Sequence, residues 1–102
     1  MALTRKFKDT VQARAKRDVA FRKALLRQSV ECMLAGDVDT GKIILRDYIN
    51  ATIGFVTLGN KVKTSPKSLM RMFSPAGNPQ AKKLFAVIAY LQKYGGVPLK
   101  VE

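Results

Sequence analysis

FVTLGNKVKTSPKSLMRMFS, from Phe55 to Ser74, carries two hydrophobic patterns with Lys63, Thr64 and Ser65 between them. In the first pattern Phe55, Leu58 and Val62 stand at i, i+3 and i+7, which is one face of a helix. Lys63 and Thr64 then make a turn. Ser65 followed by Pro66 reads as a helix start, with a hydroxyl at the N-cap and a proline at N1, where no amide hydrogen is needed. The stretch therefore predicts two short helices joined by a tight turn. On the second helix, at about 100° per residue with Lys67 as zero, Arg71 falls at about 40°, Thr64 at about 60° and Ser68 at about 100°. Leu69 and Phe73 fall on the opposite side, at about 200° and 240°, and Met72 lies between the faces at about 140°. Leu69 and Phe73 thus anchor the helix while Thr64, Lys67, Ser68 and Arg71 project outward. Short hydroxyls with Lys and Arg are the side chains that contact phosphates and guanine edges in a major groove, and a helix N-terminus attracts phosphate through its free amides.

Most of the rest reads as helix. Downstream, Asn78 and Pro79 form a second cap-and-proline pair, which predicts a helix from Pro79 to about Tyr94. Ala81, Leu84, Phe85, Ile88 and Leu91 are placed on its core side, and Gly95-Gly96 stops it. Val97, Leu99 and Val101 alternate in the manner of a short strand, whose free edge invites a second copy. Upstream, Leu3, Phe7, Val11 and Ala15 recur every four residues, so 1–17 is a basic amphipathic helix or a flexible basic arm. Asp18 reads as the N-cap of the next helix. There Phe21, Ala24, Leu25, Gln28 and Cys32 share one side, and Leu26, Val30, Met33 and Leu34 widen the apolar face. This helix is expected to be largely buried and to end near Gly36. Asp37 or Asp39 caps another, from about Thr40 to Ile53, whose stripes are Ile44, Tyr48, Ala51 and Leu45, Ile49, Ile53. Gly54 breaks the chain before Phe55. The organisation is one compact domain in three parts: 1–17 as helix or arm, 18–53 as a helical hairpin, and 54–102 as the ligand-facing part.

Charge dominates the composition. The 102 residues hold 19 Lys and Arg against 7 Asp and Glu, a net charge of +12. Residues 1–30 have nine bases and two acids, 31–60 two bases and four acids, and 61–102 eight bases and one acid. The acidic middle belongs to a packing layer, and the basic flanks favour a polyanionic partner. No apolar run approaches the roughly 20 residues of a membrane span. The opening MALTRKFKDT is too polar for a secretory signal. A lone Cys32, placed in an apolar stripe, fits a reducing cytoplasmic compartment.

Enzyme chemistry has little to stand on. There is no histidine, the commonest general base and metal ligand. GDVDTGKI, Gly36 to Ile43, contains the G-x-x-x-x-G-K skeleton of a phosphate loop, but Ile43 replaces the Ser or Thr that holds magnesium. Asp37 and Asp39 would also repel phosphates, and a helical pattern precedes the stretch where a strand is required. No catalytic residue, metal or cofactor is expected.

Residues 55–74 resemble the helix-turn-helix of Xre/Cro-like repressors, and the resemblance continues through PAGNPQAKKLFAVIAYL. Upstream, RKALLRQSVECMLAGDVDTGKIILRDYINATIGF is similar to the N-terminal half of small bacterial proteins of the addiction-module antidote (antitoxin) family. The resemblance covers most of the chain. It implies an all-α fold of five to six helices, a lambda-repressor-like helix-turn-helix domain with an N-terminal helical extension, to which the alternation at 97–101 adds a short C-terminal strand. It also implies a sequence-specific DNA-binding transcriptional regulator that represses its own operator, with double-stranded DNA and a cognate toxin protein as partners, while the strand edge at 97–101 points to a homodimer. Matched to the family, Thr64, Ser65, Lys67, Ser68 and Arg71 occupy recognition-helix contact positions. Arg71 suits a guanine or a phosphate, and Lys67 a phosphate. Asn78, Gln80 and Lys82 are placed against the DNA backbone, or form a plain cap with solvated neighbours. The chain departs from the pattern at Gly59, where the motif favours Ala, and at Lys63, where it favours Gly.

Two other readings stay open: a solitary regulator without a toxin, and a non-specific basic nucleic-acid-binding or architectural protein. RNA binders usually display aromatic stacking platforms, and Phe55, Phe73, Phe85 and Tyr48 all fall here on expected core faces.

Overall fold

Short polar side chains set the helix starts. In a computed structural model the chain is described at residue 11 and over 13–95. Helix α1 covers the described helical residues 11 and 13–17. It is followed by α2 (Val19–Leu34), α3 (Val38–Ala51), α4 (Phe55–Val62), α5 (Pro66–Met72) and α6 (Ala81–Gly95). The described residues contain no strand. Leu3, Phe7 and the 97–101 segment expected as a strand lie outside them. No helix is long and apolar enough to cross a membrane among the described residues.

Asp18 accepts the Phe21 amide at 3.0 Å and opens α2. That hydrogen bond, with the Arg14 guanidinium beside it, holds the Asp18 carboxyl below the usual value for aspartate. Asp37 accepts the Thr40 amide at 3.3 Å and opens α3, which therefore starts two residues before the expected Thr40. Gly36 and Gly54, both at positive φ, end the preceding segments as expected.

One core joins the helices. Leu26 of α2, Leu45, Tyr48 and Ile49 of α3, Phe55 and Leu58 of α4, Leu69 of α5, Phe73, and Val87, Ile88 and Leu91 of α6 form a single buried cluster. The parts expected at 18–53 and 54–102 thus share one interior. Helix α2 packs on α3, and α4 packs on both α5 and α6.

Two further helices differ from expectation. Only Leu26 and Ser29 of α2 are fully buried, while Ala24 and Gln28 of the expected stripe are exposed. The reason is that α2 packs chiefly on α3 and keeps its outer side in solvent. The two cross closely at small residues: a Cβ on Gly41 would come within 2.8 Å of the Ser29 carbonyl oxygen. Helix α6 begins at Ala81 and not at Pro79. Its first turn closes when the Leu84 amide donates to the Gln80 carbonyl at 2.9 Å, so Gln80 stands at the cap and Asn78 does not. The buried stripe of α6 is Val87, Ile88 and Leu91 with half-buried Leu84. Phe85 points about 110° away from the centre of that stripe at 100° per residue. It is 62% exposed, and Ala81 is exposed too, against their expected place in the core.

The turn between α4 and α5 is tight. Lys63 has φ 56° and ψ 47°, the left-handed conformation, and its amide donates to the Gly59 carbonyl. A side chain there carries a penalty of about 1–2 kcal/mol, from which the greater unfolded-state entropy of glycine takes back roughly 0.5–1. Lys63→Gly is therefore expected to raise stability by about 0.5–1 kcal/mol in urea unfolding. A loss of stability would mean that the lysine stem contributes packing that outweighs its strain.

Candidate nucleic-acid interface

Helix α5 is built as a two-faced element. Ser65 accepts the Ser68 amide at 3.2 Å and Pro66 occupies the first turn, so the helix starts where the sequence indicates. Leu69 is 0% and Phe73 1% exposed, and the Phe73 ring lies 6.3 Å from that of Phe55 in a tilted pair. Met72 is half-buried between the faces. The opposite side presents Ser65, Lys67, Ser68 and Arg71, all exposed, with Thr64 half-exposed before them. The structure thus brings together five of the expected site residues, Thr64, Ser65, Lys67, Ser68 and Arg71, on one side of one helix.

These side chains differ in how free they are. The Ser65 hydroxyl donates to the Ser68 hydroxyl at 2.9 Å while it caps the helix, so these two partly satisfy each other. The Thr64 hydroxyl donates to the Val62 carbonyl at 3.4 Å. Lys67 and Arg71 take part in no side-chain hydrogen bond or ion pair among the described residues. Asn78, Gln80 and Lys82 are exposed on the loop and first turn of α6. Asn78 also borders an apolar groove shared with Leu34, Val38 and Phe85.

The charge of this segment of the chain has one sign. Between Asp47 and Glu102 the chain contains no acidic residue, while Lys61, Lys63, Lys67, Arg71, Lys82, Lys83, Lys93 and Lys100 fall in that interval. All of α4, α5 and α6 therefore lack a carboxylate. Exposed bases without internal counter-charges hold a positive potential that a polyanion can neutralise.

The most consequential residue that sequence reasoning missed is Lys42. It stood in the rejected phosphate-loop skeleton, yet it lies inside α3 and is only 3% exposed. Its Nζ donates to the Ser74 carbonyl at 3.1 Å and to the Gly77 carbonyl at 2.8 Å, with the Asp39 carboxylate at 3.8 Å. It thereby ties α3 to the loop leaving α5. The loop folds back over the last turn of that helix, and a Cβ on Gly77 would overlap the Arg71 carbonyl. The Ser74 hydroxyl donates to that same carbonyl at 2.7 Å. Lys42 touches no expected ligand position and instead fixes the support beneath Arg71. No local signal marked it, because its partners lie 32 and 35 residues away.

Compared with protein-family models, with curated proteins and with solved structures, the chain matches none.

Proposed function

We propose that the protein is a sequence-specific DNA-binding transcriptional regulator, with α4, the turn at Lys63–Ser65 and α5 acting as a helix-turn-helix. One observation carries this reading: α5 is anchored by Leu69 and Phe73 while Lys67 and Arg71 stand free on its other side, inside a segment without a carboxylate. In this reading α5 enters the major groove. Arg71 offers two parallel N–H groups to guanine O6 and N7, and Lys67 neutralises a phosphate. Ser68 adds a short hydroxyl beside them, and Lys82 meets the backbone from the start of α6. Ser65 positions the helix by capping it and adds little to affinity directly.

The antidote reading extends this to repression of the protein's own operator by a homodimer, with a cognate toxin as protein partner. The toxin contact is placed on the N-terminal helices α1 and α2, which leaves the α5 face for DNA. Charge alone supports a second reading, a non-specific nucleic-acid-binding protein, since +12 on 102 residues attracts any polyanion. The exposed Phe85 also leaves one aromatic ring free to stack on a base.

Titration of DNA from upstream of the protein's own gene against scrambled DNA, at two salt concentrations, separates the two. A regulator is expected to prefer the first at both salts, with two chains per duplex. Equal affinity for both DNAs, collapsing together as salt rises, would assign binding to charge alone.

A further inference from the structure

The C-terminal ends of α3 and α6 meet α2 around a cavity of about 340 Å³ lined by Arg22, Tyr48, Ala51, Thr52, Tyr94 and Gly95. None of these residues belongs to α4 or α5, so the cavity is separate from the proposed DNA face. Three donors line it from three helices, and no carboxylate lines it among the described residues.

Arg22 is half-buried and held in one orientation. Its Nη1 donates to the carbonyls of Ala15 at 3.0 Å and Lys16 at 3.1 Å. Those bonds occupy the two hydrogens of Nη1. The other three N–H groups of the guanidinium, on Nε and Nη2, have no partner among the described residues. They form the planar edge that takes two oxygens of one anion side by side.

Tyr48 is 1% exposed, yet its hydroxyl makes no hydrogen bond among the described residues. No fully buried side-chain oxygen or nitrogen among the described residues lacks a partner. Tyr48 lines the cavity, and the hydroxyl is the one polar atom of its side chain. Burial pushes the Tyr48 phenol above its usual pKa, so it is protonated at neutral pH and available as a donor. Tyr94 brings a second phenol, its ring stacked on Tyr90 at 6.2 Å. The Thr52 hydroxyl already donates to the Tyr48 carbonyl at 2.7 Å and offers only its lone pairs.

We propose that the cavity between Arg22, Tyr48 and Tyr94 binds a small-molecule oxyanion, a carboxylate or a phosphate monoester. Arg22 takes two of its oxygens, and the phenols donate to the same group. A single guanidinium with two neutral donors matches the charge of one anionic group. The small residues Ala51 and Gly95 leave room for the body of the molecule. Because the donors come from α2, α3 and α6, an occupant links three helices and stabilises the folded state by mass action.

The test is thermal unfolding of the full chain in inorganic phosphate and in acetate, each against sodium chloride of equal ionic strength. Tyr48→Phe, which removes one unpaired hydroxyl and leaves the ring, is run beside it. At least one anion is expected to raise Tm above the chloride control in a saturable manner, and the increment is expected to vanish in Tyr48→Phe. The more effective anion identifies the group, phosphate or carboxylate. An equal increment in wild type and Tyr48→Phe would reduce the effect to diffuse screening of +12 and overturn the proposal, as would no increment over chloride. If Tyr48→Phe unfolds early in chloride, Tyr94→Phe replaces it, since that ring is half exposed and its hydroxyl is equally required.

Discussion

Gly59→Ala is expected to destabilise the protein by roughly 1–3 kcal/mol, the usual cost of overpacking, although alanine is the better helix former. Gly59 sits inside α4, where alanine alone would gain up to about 1 kcal/mol of helix propensity. Space decides against it. A Cβ there would overlap the Thr64 carbonyl and lie 3.4 Å from the Pro66 nitrogen. Both neighbours are backbone of the turn into α5, so neither can swing aside as a side chain would. Relief requires moving the start of α5 away from α4, which also shifts Lys67 and Arg71. Urea unfolding reads the first effect and DNA titration the second. A stabilised Gly59→Ala protein would show that α5 does not approach α4 as described.

Lys42→Met is expected to cost roughly 2–4 kcal/mol. Each hydrogen bond to a charged group contributes about 1.5–3 kcal/mol, and two are lost from Ser74 and Gly77. Relief of the desolvated ammonium offsets part of that sum. The Asp39 contact adds little, since that side chain is 87% exposed. Methionine fills nearly the same volume, so packing changes little. The loss should appear first as faster amide exchange at Gly77, whose carbonyl the lysine holds, and then as weaker DNA binding through the loosened end of α5. Unchanged exchange at Gly77 together with unchanged stability would remove the clamp from the account.

The legible parts of this fold are those set by neighbours in sequence. Asp18, Asp37 and Ser65 each cap an amide three residues on, so a cap and its donor can be read from a few letters. The same holds for α5, whose buried and exposed sides follow from helical spacing alone. The missed features depend on distant partners. Asn78-Pro79 has the letters of a cap, but the helix starts at Ala81, after a loop whose Gly77 carbonyl is held by the distant Lys42. Phe85 is large and apolar, yet the core centres between Leu84 and Leu91 and leaves it at the edge. Gly41 and Lys42 resembled a phosphate loop, and in the folded chain one makes room for α2 while the other supports the loop after α5. The motif's usual alanine was the wrong standard for Gly59, because in this chain the Thr64 carbonyl occupies the space of a methyl group.

The regulator reading rests on α5 as the element that distinguishes one DNA sequence from another. The most direct measurement is the affinity of Arg71→Ala and Lys67→Ala for upstream DNA and for scrambled DNA. Loss of a base contact is expected to cost Arg71→Ala roughly 1–3 kcal/mol on upstream DNA and much less on scrambled DNA. Lys67→Ala is expected to weaken both about equally and to lower the salt slope by about one. If Arg71→Ala instead weakens both DNAs to the same extent, α5 contributes charge without discrimination, and the sequence-specific regulator is contradicted.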